Sequence, residues 1–225
     1  MCKLKNKRSI YGCSIFLFFM FIAGIMLIPS RLLSQRVEQS QKLNKIKKVL
    51  TEPDKIWIED NQTKQLILQI KDIPSESKIA KGLLLGNEYF SHAILSPKGD
   101  YVAFVVEGFH GWCGLYEFKQ EKISEIAFFF NGSVNKLLFS PNGRYLAIEA
   151  VVGGGFSTVS LFDVSKFKSL DFAIPKSTTG YPADVLLQEW SDNNLKVLLK
   201  WIDEEKWESW VFTTQEDQRV FKKLN

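Results

Sequence analysis

The pattern of apolar and polar positions is the most informative feature of this chain, because it repeats. Apolar runs at Ala93–Leu95 and Leu137–Phe139 each enter a short polar corner, and further runs leave it at Tyr101–Val106 and Tyr145–Ile148. The corners are nearly the same sequence. Ser96-Pro97-Lys98-Gly99-Asp100-Tyr101-Val102-Ala103-Phe104 recurs 44 residues later as Ser140-Pro141-Asn142-Gly143-Arg144-Tyr145-Leu146-Ala147-Ile148. A degenerate third copy, Trp190-Ser191-Asp192-Asn193-Asn194-Leu195-Lys196-Val197-Leu198, lacks the proline and glycine. Proline presets φ at a tight turn and glycine supplies φ > 0, so each corner predicts a β-hairpin. A third strand is expected at Leu115–Phe118, Leu161–Val164 and Trp210–Thr213, and a fourth at Ser124–Phe130, Leu170–Ile174 and Gln218–Leu224. Four short strands per unit at a spacing in the forties predict repeated antiparallel blades. Lys55–Glu59 and Gln65–Ile70, around the turn Asp60-Asn61-Gln62-Thr63, predict half a blade more. The competing reading is an antiparallel sandwich in which two similar turns coincide.

The Ser-Pro-x-Gly-x-Tyr-(Val/Leu)-Ala-(Phe/Ile) signature resembles the repeat of TolB-type and WD-repeat-like bacterial β-propellers, over about residues 92–222. The resemblance implies an all-β, propeller-like stack of four-stranded blades. It also implies blades that present interaction surfaces, with an attached peptidase domain in some members. About three and a half blades fit the chain, whereas closed propellers have four to eight. A small ring, an open arc and part of an oligomeric ring all stay open.

Ahead of the blades the pattern changes. Ile10–Ile28 holds 19 residues without a charge, enough for a helix to cross a bilayer core. It exceeds the apolar core of an ordinary signal peptide, and no small-x-small cleavage site follows. A retained signal-anchor over residues 1–30 is therefore expected. Cys13 lies near the start of this run, with most of the apolar residues after it, the wrong order for a lipoprotein box. Residues 31–53 read as a basic helical stalk: Leu43, Ile46 and Leu50 recur at helical steps, and Pro53 stops them. The propeller-like domain is expected over 54–225. Lys3, Lys5, Lys7 and Arg8 crowd the N-terminal flank and favour a single pass through the inner or plasma membrane with the blades outside the cytoplasm. The basic residues after the span, Arg31 to Lys48, support the rival orientation, a scaffold tethered on the cytoplasmic side.

Charge divides along the same boundary. Residues 1–50 carry ten Lys and Arg against one acid, and residues 51–225 carry nineteen against twenty-four. The globular part is thus mildly acidic, which argues against nucleic acid as its partner. Cys113 is its one cysteine, so no disulfide forms within it and stability rests on apolar packing.

No nucleophile elbow, phosphate loop or paired-histidine metal motif occurs, and no cofactor or metal is expected. His92 and His110 have no Cys, Asp or Glu at ligand spacing. Gly153-Gly154-Gly155 suits a hairpin loop. What remains is positional. Loops joining second to third strands emerge at one end of every blade, and here they carry aromatics: Phe109, His110 and Trp112; Phe156; Asp203 and Trp207. These six form the expected binding surface for a protein or envelope glycan, with homo-oligomerisation possible and no catalytic residue assigned. The plain alternative has the aromatics capping the blade core. An envelope hydrolase using loop carboxylates such as Glu107, Asp203 and Glu205 is the enzymatic alternative.

Overall fold

A computed structural model describes residues 48–60, 63–73, 87–170, 182–201, 205–214 and 220–224. They form four antiparallel sheets, each from consecutive strands. The first holds β1 (Lys48–Glu52), β2 (Lys55–Glu59) and β3 (Lys64–Gln69). The second holds β4 (Tyr89–Leu95), β5 (Tyr101–Glu107), β6 (Gly111–Glu117) and β7 (Lys122–Phe129). The third holds β8 (Ser133–Phe139), β9 (Tyr145–Val152), β10 (Phe156–Asp163) and β11 (Lys168–Leu170). The fourth holds β12 (Pro182–Ser191), β13 (Asn194–Trp201), β14 (Trp207–Thr213) and β15 (Val220–Lys223). The only described helix is a single 3-10 turn at Ile70–Asp72.

The blades predicted from the repeats are present, with third strands that begin earlier than expected. Lys48–Glu52 departs from the stalk expectation, because these residues form β1 and pair with β2. Val49 enters the apolar cluster beside Ile58, and this burial overrides the helical spacing of Leu43, Ile46 and Leu50. The globular part therefore begins at or before Lys48. The apolar run 10–28 and the stalk up to residue 47 lie outside the described residues. No described helix is long and apolar enough to cross a membrane.

Both corner motifs close as predicted. Gly99 and Gly143 take φ of 73° and 71°, and their N–H groups donate to the Ser96 and Ser140 carbonyls at 2.8 Å. The serine hydroxyls add a bond, accepting from Tyr101 N at 3.0 Å and Tyr145 N at 2.9 Å. The motif's serine thus ties the corner from inside, where Ser96 and Ser140 are buried.

Consecutive sheets pack face to face through the strand alternation. On β5, Val102, Phe104 and Val106 meet the first sheet while Ala103 and Val105 meet the third. On β9, Leu146, Ile148 and Ala150 face the second sheet while Tyr145 and Ala147 face the fourth. The two central sheets are apolar on both faces, which explains their near-continuous apolar sequences.

Polar bridges join the sheets at one recurring place. The first strand of each four-stranded sheet carries a bulge, at Phe90/His92, Val134/Lys136 and Leu187/Glu189. A bulge leaves a residue outside the ladder, and here an N–H beside each bulge is taken by the preceding sheet. Phe90 N donates to Pro53 O at 2.8 Å, Val134 N to Glu107 Oε1 at 2.7 Å, and Leu187 N to Glu149 Oε2 at 2.7 Å. Lys136 Nζ completes the last bridge, donating to Leu187 O at 3.0 Å and Gln188 O at 3.2 Å.

Candidate interaction face

The loop from β5 to β6 defines one end of the second sheet. Strand registers and hydrogen bonds bring the corresponding ends of the neighbouring sheets beside it. Asn131 N, just after β7, donates to His110 Nδ1 at 2.9 Å, so the neutral imidazole carries its proton on Nε2. The Gly153 Cβ position lies 3.9 Å from Phe130 O. Ser157 N, at the start of β10, donates to Asp184 Oδ1 of β12 at 2.9 Å.

Large apolar side chains collect at this end. Seven are exposed among the described residues: Tyr89, Phe109, Phe130, Phe156, Phe167, Trp207 and Leu224. Tyr89 pairs with Glu107, Phe109 is in the loop, and Phe130 follows the Gly111–Phe129 pair. Phe156 pairs with Val152, Trp207 with Lys200, and Leu224 N bonds Ser209 O near the start of β14. Six of the seven thus share one end, and only Phe167, in the β10–β11 turn, lies at the other.

The most ordered part is a ring cluster. His110 stacks on Phe130 with centroids 4.6 Å apart and planes at 24°, and Phe109 meets the imidazole edge-on at 4.8 Å. Phe128 lies behind at 5.4 Å. His110 is buried, yet Phe109 and Phe130 are 66% and 60% exposed. Two phenyl rings are thereby held in place by a histidine that is itself fixed by a backbone bond. Phe156 stands beside Gly154 and Gly155, whose φ of 101° and 83° shape a tight hairpin. Trp207 carries Lys200 Nζ 5.8 Å over its ring and borders a shallow groove with Lys196, Lys206 and Leu224.

The six expected site residues therefore separate. Phe109, Phe156 and Trp207 are exposed at the expected end, and His110 supports Phe109 from below. Trp112 departs from the expectation: it is 1% exposed, lies within β6, and packs its ring 5.7 Å from Phe104. Because β6 begins at Gly111, Trp112 points between the first two sheets and belongs to the core. Asp203 lies outside the described residues. Phe130, Tyr89 and Leu224 were missed, although Phe128-Phe129-Phe130 followed by Asn131-Gly132 signals a strand that ends with one ring turned outwards.

Glu107 is buried and committed to Val134 N, and its burial pushes the carboxyl above its ordinary range. No group of three or more potential metal ligands occurs among the described residues.

The sequence matches no protein-family model and no curated protein. Solved structures do match. The β-propeller domain of the trilobed protease from Pyrococcus furiosus aligns with a TM-score of 0.51 at 16% identity, over 79% of this chain and 52% of that one. The dihydro-heme d1 dehydrogenase NirN aligns at 0.50 and 18%, over 78% and 34%. TolB from Acinetobacter baumannii aligns at 0.47 and 13%, over 79% and 40%. The chain spans about half of the first of these and less of the others. At such identities the likeness concerns the fold alone. The described residues form a partial β-propeller of about three and a half blades.

Proposed function

We propose that this chain is a membrane-tethered interaction module, without catalysis of its own, that captures a protein or another envelope component through its aromatic end. The tether is the apolar run 10–28, and the blades stand outside the cytoplasm. The observation carrying this reading is the gathering of six exposed apolar side chains at one end of the blades. Exposed aromatic clusters of this kind mark binding surfaces, and aromatic anchors dominate interface energetics. β1 begins at the end opposite the aromatic face, since Lys48 pairs with Glu59 while the Pro53 corner meets Phe90.

The test replaces Phe109, Phe130 and Phe156 together by alanine and measures in-cell photo-crosslinking to the partner, with Phe167→Ala as control. Capture should fall at least about tenfold in the triple variant, as expected for loss of hot-spot anchors. It should persist in the control, with thermal unfolding of both variants near that of the parent. Retained capture, or collapse of the fold, defeats the proposal. A reporter fused after Asn225 checks the orientation: activity confined to the cytoplasm contradicts it.

A further inference from the structure

His110 is a buried titratable group that the proposed capture does not use, and it stands under the two most exposed rings of the aromatic end, Phe109 and Phe130. Its Nδ1 accepts the Asn131 N–H at 2.9 Å, a role open only to an unprotonated nitrogen. Rings enclose the imidazole around that bond. Phe130 stacks on it at 4.6 Å, Phe109 meets its edge at 4.8 Å, and Phe128 lies behind at 5.4 Å.

Few charges surround it. Glu107, at the end of β5, is committed to Val134 N at 2.7 Å, and burial holds its carboxyl above its ordinary range. Glu88, ahead of β4, has its Cγ 3.4 Å from where a Gly108 Cβ would lie, and Tyr89 next to it is exposed. The end of β7 with the start of β8 (residues 126–135) and the β9–β10 hairpin (residues 150–158) carry no titratable side chain. Glu125 lies further along β7, level with Gly114.

Protonation changes what the imidazole can do. An imidazolium carries an N–H on both nitrogens, so Nδ1–H and Asn131 N–H would face each other with no acceptor between them. A buried donor without an acceptor is costly, and so is a buried charge. The face of Phe130 attracts a cation, but that attraction survives only if both rings turn towards water together, since Phe128 stands in the way inwards. We propose that His110 is a proton-sensitive latch on the aromatic end. Neutral, it pins Asn131 and holds Phe109 and Phe130 in place. When a proton from water adds to Nδ1, it lets go of Asn131, both rings shift, and the captured partner is released. Imidazoles change charge between about pH 5 and 8. The release rests on the capture function proposed above, whereas the movement of the rings is measurable without a partner.

The experiment uses the full chain in detergent, with para-fluorophenylalanine in place of Phe130 and carbon-13 in the histidine rings. Fluorine and imidazole resonances are followed from about pH 8 to about pH 5 and back. The fluorine line should shift in one reversible step that shares its midpoint with the His110 imidazole. His110→Asn offers Asn131 an acceptor that never gains charge, so its fluorine line should stay fixed. Glu107→Gln should keep the step, and tryptophan fluorescence checks the fold of both variants. Should His110→Asn fail to fold, the shared midpoint in the parent and in Glu107→Gln decides. A fluorine line that stays still while His110 titrates, or a His110 that stays neutral throughout, overturns the latch. So does a step that persists in folded His110→Asn or vanishes in Glu107→Gln. Capture that survives the triple alanine replacement strikes the proposed function and leaves the ring movement standing.

Discussion

Glu107 illustrates how much a single side chain does between sheets. Its Oε1 accepts the Val134 N–H at 2.7 Å in a buried setting that disfavours its charge. The acceptor and the charge can be separated by substitution. Glu107→Gln keeps an oxygen for Val134 and removes the ionisation, so its stability at neutral pH should equal or exceed that of the parent. Glu107→Ala leaves the bulge N–H without an acceptor and should lose roughly 1–3 kcal/mol. Equilibrium urea unfolding distinguishes the cases, and equal losses in both variants would contradict this account. At this scale the sequence is only partly legible. Phe109 and Trp112 both read as loop aromatics, and their fates diverge because β6 starts at Gly111. Alternation then turns Trp112 inwards, onto Phe104. Locating a strand boundary to within a few residues decides such cases, and propensity alone does not reach that resolution. The support given to Phe109 and Phe130 by His110 was illegible for another reason: it depends on Asn131, 21 residues away.

Strand elements show a similar division between local and non-local information. The corners at Pro97-Gly99 and Pro141-Gly143 were legible because their chemistry lies within a few residues. The bulge bridges were not. Glu107 and Glu149 do the same work but are 42 residues apart in a 44-residue repeat, so no repeat alignment pairs them. β1 was hidden because its partner lies in β2, while its local spacing is helical. One packing constraint is nonetheless sharp. A Cβ on Gly114 would lie 2.4 Å from Phe104 Cζ. Phe104 is fully buried, with Phe90 and Trp112 each 5.7 Å away edge-on, so it has no room to retreat. Gly114→Ala should therefore destabilise the second sheet by about 1–3 kcal/mol through overpacking. Gly108→Ala is the matched control, because its nearest contact would be an ordinary 3.4 Å to Glu88 Cγ. Thermal unfolding checks the pair, and equal midpoints would refute the clash.

Across the whole domain, carboxylates perturbed in opposite directions give stability a pH dependence whose parts can be isolated. Glu208 is bonded by Lys223, by Trp201 Nε1 at 3.0 Å and by Trp210 Nε1 at 3.1 Å. These bonds hold its pKa down at about 2, the Lys223 contact contributing most. A carboxyl lowered on folding stabilises above its ordinary 4.5, and that contribution is lost as pH falls through about 2. Glu125 is the converse. Both of its oxygens are buried without a hydrogen-bond partner, and burial pushes its carboxyl up. Its folded form favours the bound proton, so the associated stability is present below 4.5 and is lost as pH rises through the folded value. The difference between parent and variant isolates each group from the rest of the titration. Glu208→Gln should be less stable than the parent at neutral pH, with the gap closing as pH falls from 4.5 towards about 2. Glu125→Gln should match the parent in acid and gain on it as pH rises. Denaturant unfolding followed by tryptophan fluorescence across this range reads both differences. Gaps that stay constant with pH would mean that neither carboxyl titrates differently in the folded and unfolded chains. Gaps of the same sign would mean that the indole-held and orphaned carboxylates share one environment, contrary to their bonding.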